Sequence, residues 1–218
     1  MKIEDYIQQA ARFESLGRFE SCVPKRPDSV LRAGVLLNHA MMGMMLEREE
    51  ADSHNSFANL VEEAGDFMWF WAQAARAIEF DDFGLMLSDG HLCVQAPFNA
   101  AHAGEYCHTN AWSLAWDAVR RLLYYSQDWS VTRGHLLAAL PALFSESLKV
   151  FETHAYCYVR REPRARAFRA PQSFLDLVCP INIAKLTTRY NGEQFSAERA
   201  LSRDLAAEAA VLEKGVTA

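Results

Sequence analysis

The chain has 218 residues, half of them hydrophobic and only ten of them glycine, enough to bury a sizeable core in one domain or two small ones. A formal net charge of -6 argues against a nucleic-acid-binding surface as the main activity, and no stretch approaches the roughly 18 uninterrupted apolar residues of a membrane span. Cys22, Cys93, Cys107, Cys157 and Cys179 are odd in number, scattered and without a CxxC pair, which points away from a disulfide framework and a zinc knuckle and towards reduced thiols.

The opening MKIEDYIQQAARFE is amphipathic and acidic, which predicts a helix over about residues 3 to 15 in place of a signal peptide, and with it a cytoplasmic protein. Pro27-Asp28-Ser29 marks the start of a long second helix, whose Leu36, Leu37, Met41, Met44 and Met45 must be buried and which carries the acidic cluster Glu47-Arg48-Glu49-Glu50. Asp52-Ser53-His54-Asn55-Ser56 reads as a helix end followed by a new N-cap, so a third helix from Phe57 to Ile78 folds back antiparallel. That helix holds a second cluster, Glu62-Glu63-Ala64-Gly65-Asp66, followed by Phe67, Met68, Trp69 and Trp71.

Residues three apart share a helix face, so Glu47 projects with Glu50 and Glu63 with Asp66, and antiparallel packing brings the four carboxylates face to face beside a core. Like charges crowded at a partly apolar interface repel one another and lose solvation, a cost that a divalent cation offsets. Ligation by oxygen alone favours magnesium, with manganese as the alternative, over zinc. The competing reading is a solvated acidic face.

From Glu79 to Thr109 the helical pattern breaks, with Gly84, Gly90, Pro97 and Gly104 spaced through an irregular insert. Within it Leu85-Met86-Leu87 and Leu92-Cys93-Val94 flank Ser88-Asp89-Gly90 as a small β-hairpin would. His102, Cys107 and His108 lie close together, but their spacing fits no common zinc pattern. Helical periodicity resumes in AWSLAWDAVRRLLYYSQ and in GHLLAALPALFSESLKVFETHAYCYV, separated by Asp128 to Arg133, giving a second helical hairpin over 110-159. Setting His135 to Ala142 against Asn59 to Asp66 keeps the apolar positions in step while every acid becomes alanine. The second hairpin thus reads as a degenerate copy of the first, making an all-α helical bundle from two halves of one chain, although any two amphipathic hairpins align this loosely. RREPRARAFRAP, with Arg160, Arg161, Arg164, Arg166 and Arg169, reads as an irregular linker, either a solvated connector or a stretch that folds over a nucleotide.

The C-terminal stretch Ile181-Asn182-Ile183-Ala184-Lys185-Leu186-Thr187-Thr188-Arg189-Tyr190, followed by Phe195 to Ala200 and by Arg203-Asp204, resembles the corresponding segment of MazG-like all-α NTP pyrophosphatases, especially phage forms. The acidic clusters resemble the same family's signature, an ExxE pair followed by ExxD, here Glu47-x-x-Glu50 and Glu63-x-x-Asp66, and NLVEEAGDFMWF looks like its second motif helix. By motif the resemblance covers about residues 30 to 78 and 173 to 205. The connection between the acidic helices is shorter than in many phage relatives, which puts pocket contacts in doubt more than metal binding, and the 79-109 insert has no counterpart.

The resemblance implies one domain over 1-218: a catalytic helical hairpin at 28-78, the insert at 79-109, a hairpin lacking the acidic motif at 110-159 and a phosphate-binding helix and tail at 173-213. It implies hydrolysis of a nucleoside or deoxynucleoside triphosphate to the monophosphate and pyrophosphate. Glu47, Glu50, Glu63 and Asp66 would hold Mg²⁺, which bridges phosphate oxygens and lowers the pKa of a water attacking the α-phosphorus. Asn182, Lys185 and Arg189, on one helical face, would bind the phosphates or sugar. Relatives assemble into dimers or tetramers, so a homo-oligomer is expected unless the second hairpin substitutes for a partner subunit. A ferritin-like di-iron site needs Glu-x-x-His pairs, which neither cluster supplies. The alternative is a non-catalytic nucleotide-binding or helical interaction protein derived from this fold, against which the intact acidic quartet speaks.

Overall fold

Ser56 starts the central helix of the molecule: its backbone is extended, and its side chain accepts a hydrogen bond from the Asn59 N–H at 3.0 Å, satisfying one of the donors that a helix start leaves open. In this computed structural model, which describes residues 3–12, 29–78, 85–88, 91–94, 111–125, 128–161, 174–192 and 197–217, the helix so capped is Phe57–Ala77. Before it come α1 (Ile3–Ala11) and α2 (Ser29–Asp52), so the capped helix is α3. After it come α4 (Ala111–Tyr125), α5 (Trp129–Arg161), α6 (Phe174–Arg189), α7 (Ala197–Leu201) and α8 (Leu205–Thr217). A four-residue turn joins α2 to α3, and α1, α5, α6 and α8 also pack on α3. Fourteen of the 21 residues of α3 are buried, far more than one amphipathic face, because neighbours cover it from several sides.

The α4–α5 hairpin lies against the α2–α3 hairpin, α4 on α2 and α5 on α3. Aromatic rings join the second pair of helices: Trp71 meets Phe144 with centroids 4.7 Å apart, and Phe67 meets Phe151 at 5.5 Å. The Trp71 indole also donates to the Leu140 carbonyl at 3.0 Å, directly before Pro141 in α5. Among the described residues the architecture is all-α apart from one short antiparallel hairpin. Its strands β1 (Leu85–Ser88) and β2 (His91–Val94) pair from Leu85 with Val94 to Ser88 with His91, where the sequence pattern places them. No helix among the described residues is long and apolar enough to cross a membrane.

Two boundaries differ from the sequence reading. Helix α5 begins at Trp129, so Trp129 to Arg133 belong to the helix and not to the connection. Asp128 is the reason: its carboxylate accepts from the Ser130 N–H at 2.8 Å while its carbonyl takes the Thr132 N–H at 3.1 Å, a capped first turn. Arg160 and Arg161 close α5, and the rest of the proposed linker lies outside the described residues. So do residues 13–15 of the first helix, the 79–109 insert apart from its two strands, and His102, Cys107 and His108.

Helix α6 ends where Asn191 and Gly192 turn to positive φ, 53° and 72°, and the Gly192 N–H closes on the Thr187 carbonyl at 2.8 Å. Upstream, α6 approaches α3 closely at Gly65, where an added Cβ would stand 2.8 Å from both Cβ and Nδ2 of Asn182. Gly65→Ala is therefore expected to destabilise the fold. The overlap costs about 1–3 kcal/mol, and the better helix propensity of alanine returns up to about 1 kcal/mol. A urea midpoint lowered at constant slope would show this loss, and an unchanged midpoint would show that α6 can move aside freely.

Candidate metal centre

Helix α2 supplies Glu47 and Glu50 from adjoining turns and α3 supplies Glu63, so that one carboxylate oxygen from each lies within 4.8 Å of the others. Glu50 is exposed, Glu47 half-buried and Glu63 buried, a gradient running from solvent to core. Asn59, one turn before Glu63 on α3, donates its Nδ2–H to Glu63 Oε1 at 2.5 Å and fixes that carboxylate.

The charges in this trio are strained. Burial pushes the Glu47 carboxyl up to about 9, helped by the charge of Asp66, a hydrogen bond to Glu63, and the charges of Glu63 and Glu50. Burial also raises Glu63, with the charges of Glu50, Glu62 and Asp66 acting the same way and the bond from Glu47 opposing them. Two carboxyl groups can hydrogen-bond to each other only through a proton, so Glu47 and Glu63 hold one between them at neutral pH. A hard dication supplies the same compensation with a larger charge, and three carboxylate oxygens from two helices are ligands of the kind that magnesium and manganese take. The residues present fit such an ion.

Asp66 stands beside the trio and is not one of its three converging groups. Its Oδ1 accepts from Lys185 Nζ at 2.6 Å and from Asn182 Nδ2 at 2.9 Å, both on α6. Lys185 is fully buried, and an ammonium removed from water needs such a partner; its Nζ also reaches Glu62 Oε1 at 3.4 Å. Arg189, one turn further along α6, turns instead to Glu208 of α8, with Nε and one terminal nitrogen at 3.1 and 2.7 Å from the two oxygens. The sequence expectation of Asn182, Lys185 and Arg189 as phosphate ligands thus meets a site in which all three donate to carboxyl groups of the protein.

Glu208 was not visible as a site residue. It is buried, and although burial alone would raise its carboxyl, the guanidinium groups of Arg189 and Arg203 hold it down at about 2. The same bond to Glu208 raises Arg189 against the effect of its own burial. Arg203 reaches Glu62 as well, at 3.9 Å, and keeps 35% of its side chain exposed, which makes it the most open of the cations around Asp66 and Glu208. In the sequence, Arg203 is marked only by its place in the C-terminal stretch Arg203-Asp204, whereas Asn59 is marked by its i, i+4 spacing to Glu63.

The result is a layered arrangement. A carboxylate trio runs from solvent to core, Asp66 stands beside it, and Lys185 and Asn182 hold Asp66 from α6. Such a site can bind a divalent cation and, with Arg203 nearby, an anion bridged to that cation. No family model, curated protein or solved structure matches this chain.

Proposed function

We propose that the chain is a Mg²⁺-dependent nucleoside triphosphate pyrophosphohydrolase, with Mn²⁺ as a substitute ion, that converts a nucleoside or deoxynucleoside triphosphate to the monophosphate and pyrophosphate. The observation that carries this reading is the convergence of Glu47, Glu50 and Glu63 within 4.8 Å, in a pair of motifs resembling those of MazG-like all-α pyrophosphatases. In this reading the three carboxylates hold the ion, and Asp66, whose bonds to α6 both fall on Oδ1, offers Oδ2 as a further ligand. A magnesium ion bound there would neutralise phosphate charge and acidify a bound water.

The protein's own groups do the rest. Glu47 gives up the proton it shares with Glu63 when the carboxylates take up a cation. Lys185 holds the charge of Asp66 and sets its direction, so its part is to position a ligand and not to grip phosphate. Arg203 is the cation open enough to meet a phosphate oxygen, while Arg189, which shares Glu208 with it, stays on that carboxylate.

The second hairpin supports the finer part of the reading, a bundle made from two halves of one chain. When the two hairpins are aligned as above, Leu60, Ala64, Phe67, Met68 and Ala75 stand against Leu136, Leu140, Leu143, Phe144 and Phe151, and all ten are buried. A hairpin in that place would stand in for the partner subunit of an oligomeric relative, making a monomer sufficient.

Product analysis in ¹⁸O-labelled water tests the reaction. With Mg²⁺ and each standard and deoxy NTP in turn, monophosphate and pyrophosphate should form, with the label in the monophosphate, and chelation should stop them. Release of inorganic phosphate, or label in pyrophosphate, would assign a different bond. No turnover with either metal would favour the non-catalytic binding protein.

A further inference from the structure

We infer that Tyr6 is a positioning residue for the metal centre, orienting Asp66 through the side-chain amide of Asn182. The inference rests on the metal-dependent reading above and adds to it a residue from α1, a helix that carries neither acidic motif. Tyr6 is fully buried, and its hydroxyl lies 2.9 Å from Asn182 Oδ1 and 3.2 Å from the Gly65 carbonyl, to which it offers its single proton. A hydroxyl that donates to Asn182 Oδ1 settles which way round that amide sits. Nδ2 then points at Asp66 and donates to Oδ1 at 2.9 Å. The reversed amide would set its oxygen against the Asp66 carboxylate and its NH₂ against the Tyr6 hydroxyl, losing the donation to Asp66.

The effect falls on the ligand oxygen. Asn182 and Lys185 both bond Oδ1, and this pair of bonds holds the carboxylate so that Oδ2 is the oxygen left for the ion of that reading. The second contact of Tyr6, to the carbonyl of Gly65, ties the same hydroxyl to the residue directly before Asp66. The hydroxyl is itself held in place by the anchoring of α1. The carbonyl of Ala10, one turn on from Tyr6, accepts from both Trp69 Nε1 and Gln73 Nε2 of α3 at 3.3 Å, and Arg12 donates to the Gly192 carbonyl at the end of α6 at 3.3 Å. Helix α1 thus bridges the two helices whose junction is Asp66 with Lys185, and outer-shell partners of this kind tune metal affinity without touching the ion.

The test is a Mn²⁺ titration of the full chain, with free Mn²⁺ read by electron paramagnetic resonance, on the native protein, Tyr6→Phe, Asp66→Asn and the double variant. Phenylalanine keeps the ring and so the packing of α1. Tyr6→Phe is expected to weaken Mn²⁺ binding about tenfold, the lower end of the usual outer-shell effect, yet to have less than about a twofold effect once Asp66 is already Asn, because the hydroxyl acts only through that carboxylate. Equal weakening in both backgrounds would overturn the inference and point to general loosening of α1. Unchanged affinity in Tyr6→Phe would overturn it while leaving the metal centre intact. A native protein that binds no Mn²⁺ would overturn the metal reading itself, and the role of Tyr6 with it.

Discussion

Glu63→Gln is expected to remove metal binding and turnover while raising the melting temperature of the metal-free protein. Glu63 is the buried member of the trio and the one whose carboxylate Asn59 fixes, so it is the ligand least able to be replaced by water. Loss of an outer-shell partner costs a metal site 10–100-fold, and loss of this ligand should cost more than about 100-fold in Mg²⁺ affinity and at least as much in kcat/KM. The stability effect has the opposite sign. The glutamine Nε2–H can donate to the Glu47 carboxylate, replacing the proton that the two acids share, so the pair keeps its hydrogen bond and its single charge without holding a proton that the unfolded chain releases at neutral pH. Relief of about 1 kcal/mol would raise Tm by about 2–4 °C in a chain of this size. Glu49→Gln, on the exposed residue between Glu47 and Glu50 that is outside the trio, should change neither quantity. Calorimetric Mg²⁺ titration beside thermal melts measures both arms. A variant that binds Mg²⁺ as the native protein does would remove Glu63 from the site, and a metal-free protein made less stable would show that the trio is not strained. Opposite signs in the two arms are what a site held against its own repulsion requires.

The parts of this site written in local spacing were legible, and the parts made by distant partners were not. Ser56 is visible as a helix start because an N-cap is a short-range device, and spacing within two helices joined by a tight turn predicts four carboxylates face to face, of which Glu47, Glu50 and Glu63 converge while Asp66 does not join them. Asp128 is the same kind of signal: the sequence pattern assigns it to a connection, and in the fold its side chain starts α5. Asn182 and Lys185 could be put on one face of a helix, but nothing local says that the face lies on Asp66, 116 and 119 positions earlier, to which both donate. Gly65 permits that approach, and its reason is visible only when Asn182 is beside it. Tyr6 and Glu208 are ordinary members of amphipathic helices until the tertiary structure gives them Asn182 and Arg189 as partners. The proposed reaction rests on the family resemblance and not on this geometry, since a motif records residue types and not the bonds they make.

Without metal, the protein is expected to lose stability as pH rises from about 5 to 9, and magnesium should remove most of that loss. Glu47 has an ordinary value of 4.5 and stands at about 9 in the folded chain. Between those limits the folded state holds a proton that the unfolded state has released. Unfolding then becomes easier with rising pH, by at most about 1.4 kcal/mol per pH unit for this one group. The contribution is fully present below 4.5 and is lost as pH climbs through about 9. Glu208 works in the other direction, since its value falls from 4.5 to about 2, so its contribution is complete above 4.5 and disappears only in stronger acid. The metal-free optimum should therefore lie in mild acid, between the loss of the Glu208 ion pairs and the ionisation of Glu47. Magnesium competes with the proton on Glu47, so it binds more tightly as pH rises and stabilises most where the metal-free protein is weakest. Urea unfolding at pH 6, 7 and 8.5, with and without excess Mg²⁺, measures this, and Glu47→Gln isolates the group because its own stability should change far less over the same range. A native protein whose metal-free stability is flat or rising from pH 6 to 8.5, and no different in slope from Glu47→Gln, would mean that no proton is held between the acids. The cluster would then be an ordinary solvated acidic face.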